Sequence, residues 1–132
     1  GEFKLATKII KQRTAKITPT KVGQFVTLWK RNSEGVTQAH EDSDLFDYFV
    51  INVQSKNLFG QFVFSKEVLI KNGIVQTKLK PGKRGIRVYP SWDKPTSKQA
   101  LKTQAWQLKY FLDLSGASKI DLEQVRSMYG LR

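Results

Sequence analysis

The 132-residue chain has no cysteine, one histidine, one methionine and four prolines. Without cysteine there can be no disulfide, no thiol nucleophile and no zinc site built from Cys and His. A lone His40 excludes a histidine cluster as well. No run of about 18 apolar residues occurs, so the sequence predicts no bilayer-spanning helix. The first residues carry Lys4, Lys8 and Lys11 and lack the unbroken apolar core of a secretory signal. Together these absences lead to the expectation of a cytoplasmic protein. Phosphate-cradling glycine loops, dinucleotide fingerprints and a serine in a nucleophile-elbow context are missing too. Acids are scarce: 11 Asp and Glu stand against 23 Lys and Arg, a formal net charge of +12. That excess draws a protein toward nucleic acid or anionic membrane, in a manner that weakens with salt.

What is present suits one packed domain over residues 1–132. The hydrophobic fraction is 39%, and three Trp, four Tyr and eight Phe can fill a core. Charge is unevenly placed. No acid lies between Glu2 and Glu34, whereas Lys4, Lys8, Lys11, Arg13, Lys16, Lys21, Lys30 and Arg31 all do. From Val68 to Leu112 the only acid is Asp93. The acids gather in Glu41-Asp-Ser-Asp-Leu-Phe-Asp47. Two basic segments and one acidic loop predict a polarised surface, provided folding brings the basic segments together.

Hydrophobic pattern places a sheet over about residues 3–90 and helices over about 97–114 and 118–130. Phe3 to Ile17 reads as one or two strands, broken by Thr18-Pro19. Gln24 to Arg31 reads as a central strand, with Phe25, Thr27 and Trp29 on one face and Val26, Leu28 and Lys30 on the other. Asp47 to Val53 and Phe59 to Phe64 are further strands. Gly-Gln-Phe-Val follows a residue break both at Gly23 and, as Gly60-Gln-Phe-Val, later in the chain; chance explains this as well as a repeat does. Ser65 is an N-cap for a short helix from Lys66 to Lys71, closed by Asn72-Gly73. A linking strand from Ile74 to Lys78 enters the basic stretch Lys78 to Trp92, in which Ile86 and Val88 face the core and Arg87 and Tyr89 face outward. From Ser97 to Leu114 a stripe of Leu101, Ala105, Leu108 and Leu112 predicts a helix lying on the sheet. Ser118 starts a second helix with Leu122, Val125 and Met128 or Tyr129 inward, ended by Gly130. The fold class is α+β: a mainly antiparallel twisted sheet or open barrel with C-terminal helices packed on it.

Several long motifs carry a resemblance. Arg13-Thr-Ala-Lys-Ile-Thr-Pro-Thr-Lys-Val-Gly-Gln-Phe-Val-Thr-Leu-Trp-Lys-Arg, Gly60-Gln-Phe-Val-Phe-Ser-Lys-Glu-Val-Leu, Gly82-Lys-Arg-Gly-Ile-Arg-Val-Tyr-Pro-Ser-Trp and Thr103-Gln-Ala-Trp-Gln with Tyr110-Phe closely resemble the MepB family. The resemblance runs from about Phe3 to Leu114. Its members are bacterial proteins, one of them encoded beside a multidrug efflux pump and its repressor. The resemblance also implies kinship with restriction-enzyme-like and DNA-binding pseudobarrel domains. Longer members are expected to carry an N-terminal helix that this sequence does not show.

For function the residues give three readings. In the first, a nucleic acid, DNA before RNA, lies on Arg13, Lys16, Lys21, Lys30, Arg31, Lys83, Arg84 and Arg87, with Tyr89 and Trp92 stacking on unpaired bases and no cofactor needed. Trp29, in a central-looking strand, reads as a core residue before a stacking ring, Trp92 reads equally as either, and Lys16 equally as a turn residue. In the second, a magnesium-dependent nuclease of the restriction type would use Asp47, Asp44 and Gln61, although the position where that chemistry needs a lysine holds Val63. Asp44 and Asp47 are also what a solvated acidic loop contains, and His40 there has no evident partner. In the third, the charge meets an acidic protein partner; a lipid surface is less suited, because the helical apolar stripe must also cover the sheet.

Overall fold

The computed structural model describes residues 1–116 and 127–130. Within residues 1–116, ten strands and two α-helices make an α+β architecture. The main sheet contains β1 (Glu2–Leu5), β2 (Lys8–Thr14), β7 (Tyr48–Ser55), β8 (Leu58–Ser65) and β10 (Phe111–Asp113), in the order β1-β2-β7-β8-β10. All its pairings are antiparallel except β2 with β7, which run parallel and align Ile10 with Tyr48 and Arg13 with Ile51. A second sheet joins β3 (Lys16–Ile17), β4 (Gln24–Thr27) and β9 (Gly85–Val88), with β4 in the middle. A small hairpin pairs β5 (Trp29–Arg31) with β6 (Thr37–Ala39). Among the described residues neither sheet closes into a barrel.

The core lies between the two sheets. Phe49, Ile51, Val53, Phe62 and Phe64 of the central hairpin meet Val26, Leu28, Ile86 and Val88 from the smaller sheet. Phe49, Phe62 and Phe64 are almost wholly removed from water. Each contributes roughly 1.5–3 kcal/mol by burial. On the opposite face of the main sheet, Ile10, Val50, Val63 and Leu112 pack against Tyr129. The proposed second helix is seen only at its end, where residues 127–128 are helical and Gly130 has a left-handed φ of 66°. Its start at Ser118 and the positions Leu122 and Val125 lie outside the described residues.

Helix α1 (Lys66–Lys71) forms as its caps dictate: the Ser65 side chain accepts from the Val68 N–H, and Asn72 closes the last turn. Helix α2 (Lys98–Gln107) is capped by the Ser97 side chain, which accepts from the Ala100 N–H. It does not reach Leu114. A 3-10 turn at Leu108–Tyr110 bends the chain into β10, where Phe111 pairs with Phe62 and Leu112 with Gln61. Edge pairing with β8 overrides the local helical period, because it satisfies a row of backbone groups that β8 would otherwise leave open. The helix is also rotated from its expected setting. Leu101 and Leu108 are exposed, at 47% and 36%, and Ala105 is exposed as well. Trp106 and Tyr110 face inward against Phe64. Aromatic area outweighs the leucine stripe in deciding which face is buried.

Two other expectations change. Gln24 to Arg31 is not one strand with two apolar faces: it breaks at Leu28, and Val26 and Leu28 are buried while Phe25 and Thr27 face solvent. Ile74 to Lys78 forms no strand, only a single parallel bridge between Glu41 and Gln76.

Candidate nucleic-acid interface

The outer face of the smaller sheet is set by register. Lys16 pairs with Phe25, and Phe25 pairs with Arg87, so these three side chains form one row across β3, β4 and β9. Two rings on this face lie over glycines. A Cβ at Gly23, whose φ is 86°, would meet the Tyr89 ring at 2.7 Å; one at Gly85 would meet the Phe25 ring at 2.6 Å. Only glycine leaves room for a ring to lie against the backbone at such positions. Phe25 remains 42% exposed there.

Beside this face, a groove of about 460 Å³ opens between β9 and α2. Its lining includes Lys21, Lys83, Arg87, Phe25, Tyr89 and, from α2, Ala100 and Thr103, with no acidic residue among them. Two glutamines of α2 hold the walls together. Gln104 Nε2 donates to the carbonyls of Tyr89, Pro90 and Asp93 at 3.0–3.3 Å. Gln107, 1% exposed, accepts from the Tyr89 N–H at 2.9 Å and donates to the Arg87 carbonyl at 3.0 Å.

The residues named from sequence divide between places. Lys21, Lys83, Arg87 and Tyr89 line the groove, Lys16 stands in the row beside it, and Arg84 is exposed at the entry to β9. Arg87 is also structural: its guanidinium donates to Thr18 Oγ1 and to the carbonyls of Val22 and Gly23, pinning the β3–β4 loop. Trp92 lies against the core, edge-on to Phe111 at 5.7 Å, with a buried indole N–H, so its ring is no open stacking platform. Arg13, Lys30 and Arg31 line a different cavity of about 360 Å³ with Trp29 and His40, and the two cavities share no lining residue. The cations expected to carry one nucleic acid therefore line two separate cavities. In the second, the cations are largely engaged. Lys30 pairs with Asp44 at 2.6 Å, Arg13 donates to the Trp29 carbonyl, and Arg31 donates to the Gly35 carbonyl while sitting over the Trp29 ring.

The acidic candidates are also spoken for. Asp47 accepts from the Ile9 N–H at 2.7 Å, locking β2 to the start of β7. Gln61 donates to Asn52 within the β7–β8 ladder. Asn52 stands five positions along β7 from Asp47, which places the two sites roughly 16 Å apart at the usual rise of a strand. Asp44 accepts from Lys30, from the Glu41 N–H and from the His40 ring, giving His40 the partner that the sequence did not reveal. Burial pushes Asp44 up, but these hydrogen bonds outweigh it and leave its carboxyl below the usual range. Burial holds His40 below the ordinary histidine value, against the pull of Asp44. Among the described residues no group of three or more acids and His could hold a metal.

Phe25 was missed from sequence. Alternation alone put it with Trp29, and nothing local says that Lys16 and Arg87 flank it.

The family model for MepB-like proteins matches residues 1–113. The chain belongs to the MepB-like family. A crystal structure of MepB superposes on it with a TM-score of 0.83 at 38% identity, covering 90% of this chain and 78% of that one. Among curated proteins none matches. The match includes every groove residue named above, β9 and α2 alike. No described helix is long and apolar enough to cross a membrane.

Proposed function

We propose that this MepB-like protein binds nucleic acid, with the phosphate backbone running along the groove between β9 and α2. One observation carries the reading: the groove gathers Lys21, Lys83 and Arg87 with the rings of Phe25 and Tyr89 and has no acid in its lining. Cations beside flat rings suit a ligand that is at once a polyanion and a set of aromatic bases. Lys16 and Arg84 extend the positive rim. The second cavity supports the reading less, because Lys30 is neutralised by Asp44 and Lys11 by Glu2.

Fluorescence anisotropy with labelled single- and double-stranded DNA at two salt concentrations tests it. Binding at about 50 mM salt that weakens steeply by about 200 mM is expected, since phosphate contacts release counterions. Absence of binding at the lower salt, or binding indifferent to salt, refutes the proposal.

A further inference from the structure

The free edge of β9 is almost closed, and the way it is closed identifies what the remaining opening accepts. In the sheet, Arg84, Ile86 and Val88 direct their backbone groups to β4 and its continuation; the Arg84 carbonyl accepts from the Leu28 N–H at 2.8 Å. By strand alternation the backbone groups of Gly85, Arg87 and Tyr89 point the other way, toward α2. Gln107 meets two of them. Its carboxamide spans the Arg87 carbonyl and the Tyr89 N–H as one residue of a parallel neighbouring strand would.

Two residues back along β9 lies the same pair of groups, the Gly85 carbonyl and the Arg87 N–H. Neither has a partner among the described residues, and both residues line the groove. This is a vacant slot of the geometry that a carboxamide already fills next door. It asks for a donor and an acceptor side by side on one rigid edge. The Phe25 ring rests on Gly85 beside it, and Lys21 and Lys83 stand at the rim.

Resting on the nucleic-acid reading above, we propose that this slot reads one unpaired nucleobase, so that the ligand is single-stranded. Every base carries an adjacent donor and acceptor on its Watson–Crick edge, and that edge is accessible only when the base is unpaired. In a duplex the comparable pairs, adenine N6–H with N7 and guanine N2–H with N3, lie on the groove floors, which a slot walled by α2 does not reach. An extended peptide suits the place poorly, because a ladder needs consecutive openings. Here the Tyr89 and Pro90 carbonyls are taken by Gln104, and at the other end the Lys83 N–H is taken by the Ile74 carbonyl. Besides this slot only the Lys83 carbonyl and the Gly85 N–H stay open among the described residues, so the free edge takes a base but is short for an added strand.

Isotope-labelled protein is titrated with a mixed-sequence single-stranded DNA, its abasic sugar–phosphate counterpart, its duplex, and polyglutamate. The single strand is expected to bind about tenfold or more tighter than the abasic strand or the duplex, the usual scale of one stacked and bonded base. On binding, the Arg87 amide resonance should move downfield and its hydrogen exchange should slow. Ala100→Phe, which fills the groove from the α2 wall, should erase the preference for the single strand over the abasic strand and leave the Arg87 amide unmoved on addition of DNA. The Arg87 amide readout stands on the unsubstituted protein should that variant fold poorly. Equal affinity for all three DNAs with an unmoved Arg87 amide overturns the slot and leaves the groove. No binding of any DNA overturns both, and an Arg87 amide that responds to polyglutamate alone overturns the base reading in favour of an acidic peptide.

Discussion

Gly23 and His40 show how single residues set local limits. Gly23 combines a left-handed φ of 86° with a Tyr89 ring lying where a Cβ would go. Gly23→Ala is therefore expected to cost about 1–3 kcal/mol, from backbone strain and a displaced ring. Chemical denaturation measures the loss, and unchanged stability would show that Tyr89 moves aside freely. His40 is 6% exposed, wedged edge-on between Phe46 and Phe49 at 5.6 Å, with Lys11 and Lys30 also disfavouring its charge. Its folded value lies below the 6.5 of an exposed histidine. Above that pH both states are neutral; as pH falls below it, the unfolded chain takes up the proton first, and stability drops. Asp44, held below 3.8, adds a second loss of the same sign at lower pH as its carboxylate is protonated. Melting temperature should thus decline on acidification from about pH 6.5, and His40→Gln should flatten that first decline. A rise in stability over that interval would mean the imidazolium is accommodated.

At the scale of elements, α1 and the start of α2 were legible because their signals are local: Ser65 and Ser97 cap within three residues, and Asn72-Gly73 stops the first helix. Ile86 and Val88 also point inward as their alternation requires. The end of α2 was not legible. Leu108 and Leu112 continue a helical period, yet Phe111–Asp113 pairs with a strand some fifty positions earlier, and no local pattern carries that information. The same blindness hid the row Lys16, Phe25 and Arg87, which exists only through register. It also hid Gln107, a polar residue whose use depends on a strand edge far from it in sequence. Gln107→Ala strands a buried N–H and carbonyl, for an expected loss of about 2–4 kcal/mol. Leu101→Lys, on the outward face of the same helix, should change stability by less than about 0.5 kcal/mol. Thermal unfolding of the two variants decides between this setting of α2 and the one its leucine stripe suggests; the opposite ranking would favour the stripe.

For the whole molecule, the charge excess was plain from composition, but its distribution was not. Half the named cations serve the fold: Arg87 pins a loop, and Lys30, Arg13 and Arg31 hold the β5–β6 region together. The side chains of Lys21, Lys83 and Arg84 are exposed and make no ion pair or hydrogen bond among the described residues. The variant Lys21→Ala, Lys83→Ala, Arg84→Ala should leave the melting temperature nearly unchanged. It should lower the salt slope of DNA binding by up to about 0.9 for each lost phosphate contact. An unaltered slope would place the polyanion elsewhere on the molecule.

Strand β10 has a consequence for how the protein is made. It closes the outer edge of β8, and it is supplied by residues 111–113, long after β8 at residues 58–65. While the ribosome is still adding α2, the nascent chain displays β8 with an uncovered rim of hydrogen-bonding groups and Phe62 without Phe111 beside it. Such rims recruit other chains, so the interval before residue 113 clears the exit tunnel is when aggregation competes with folding.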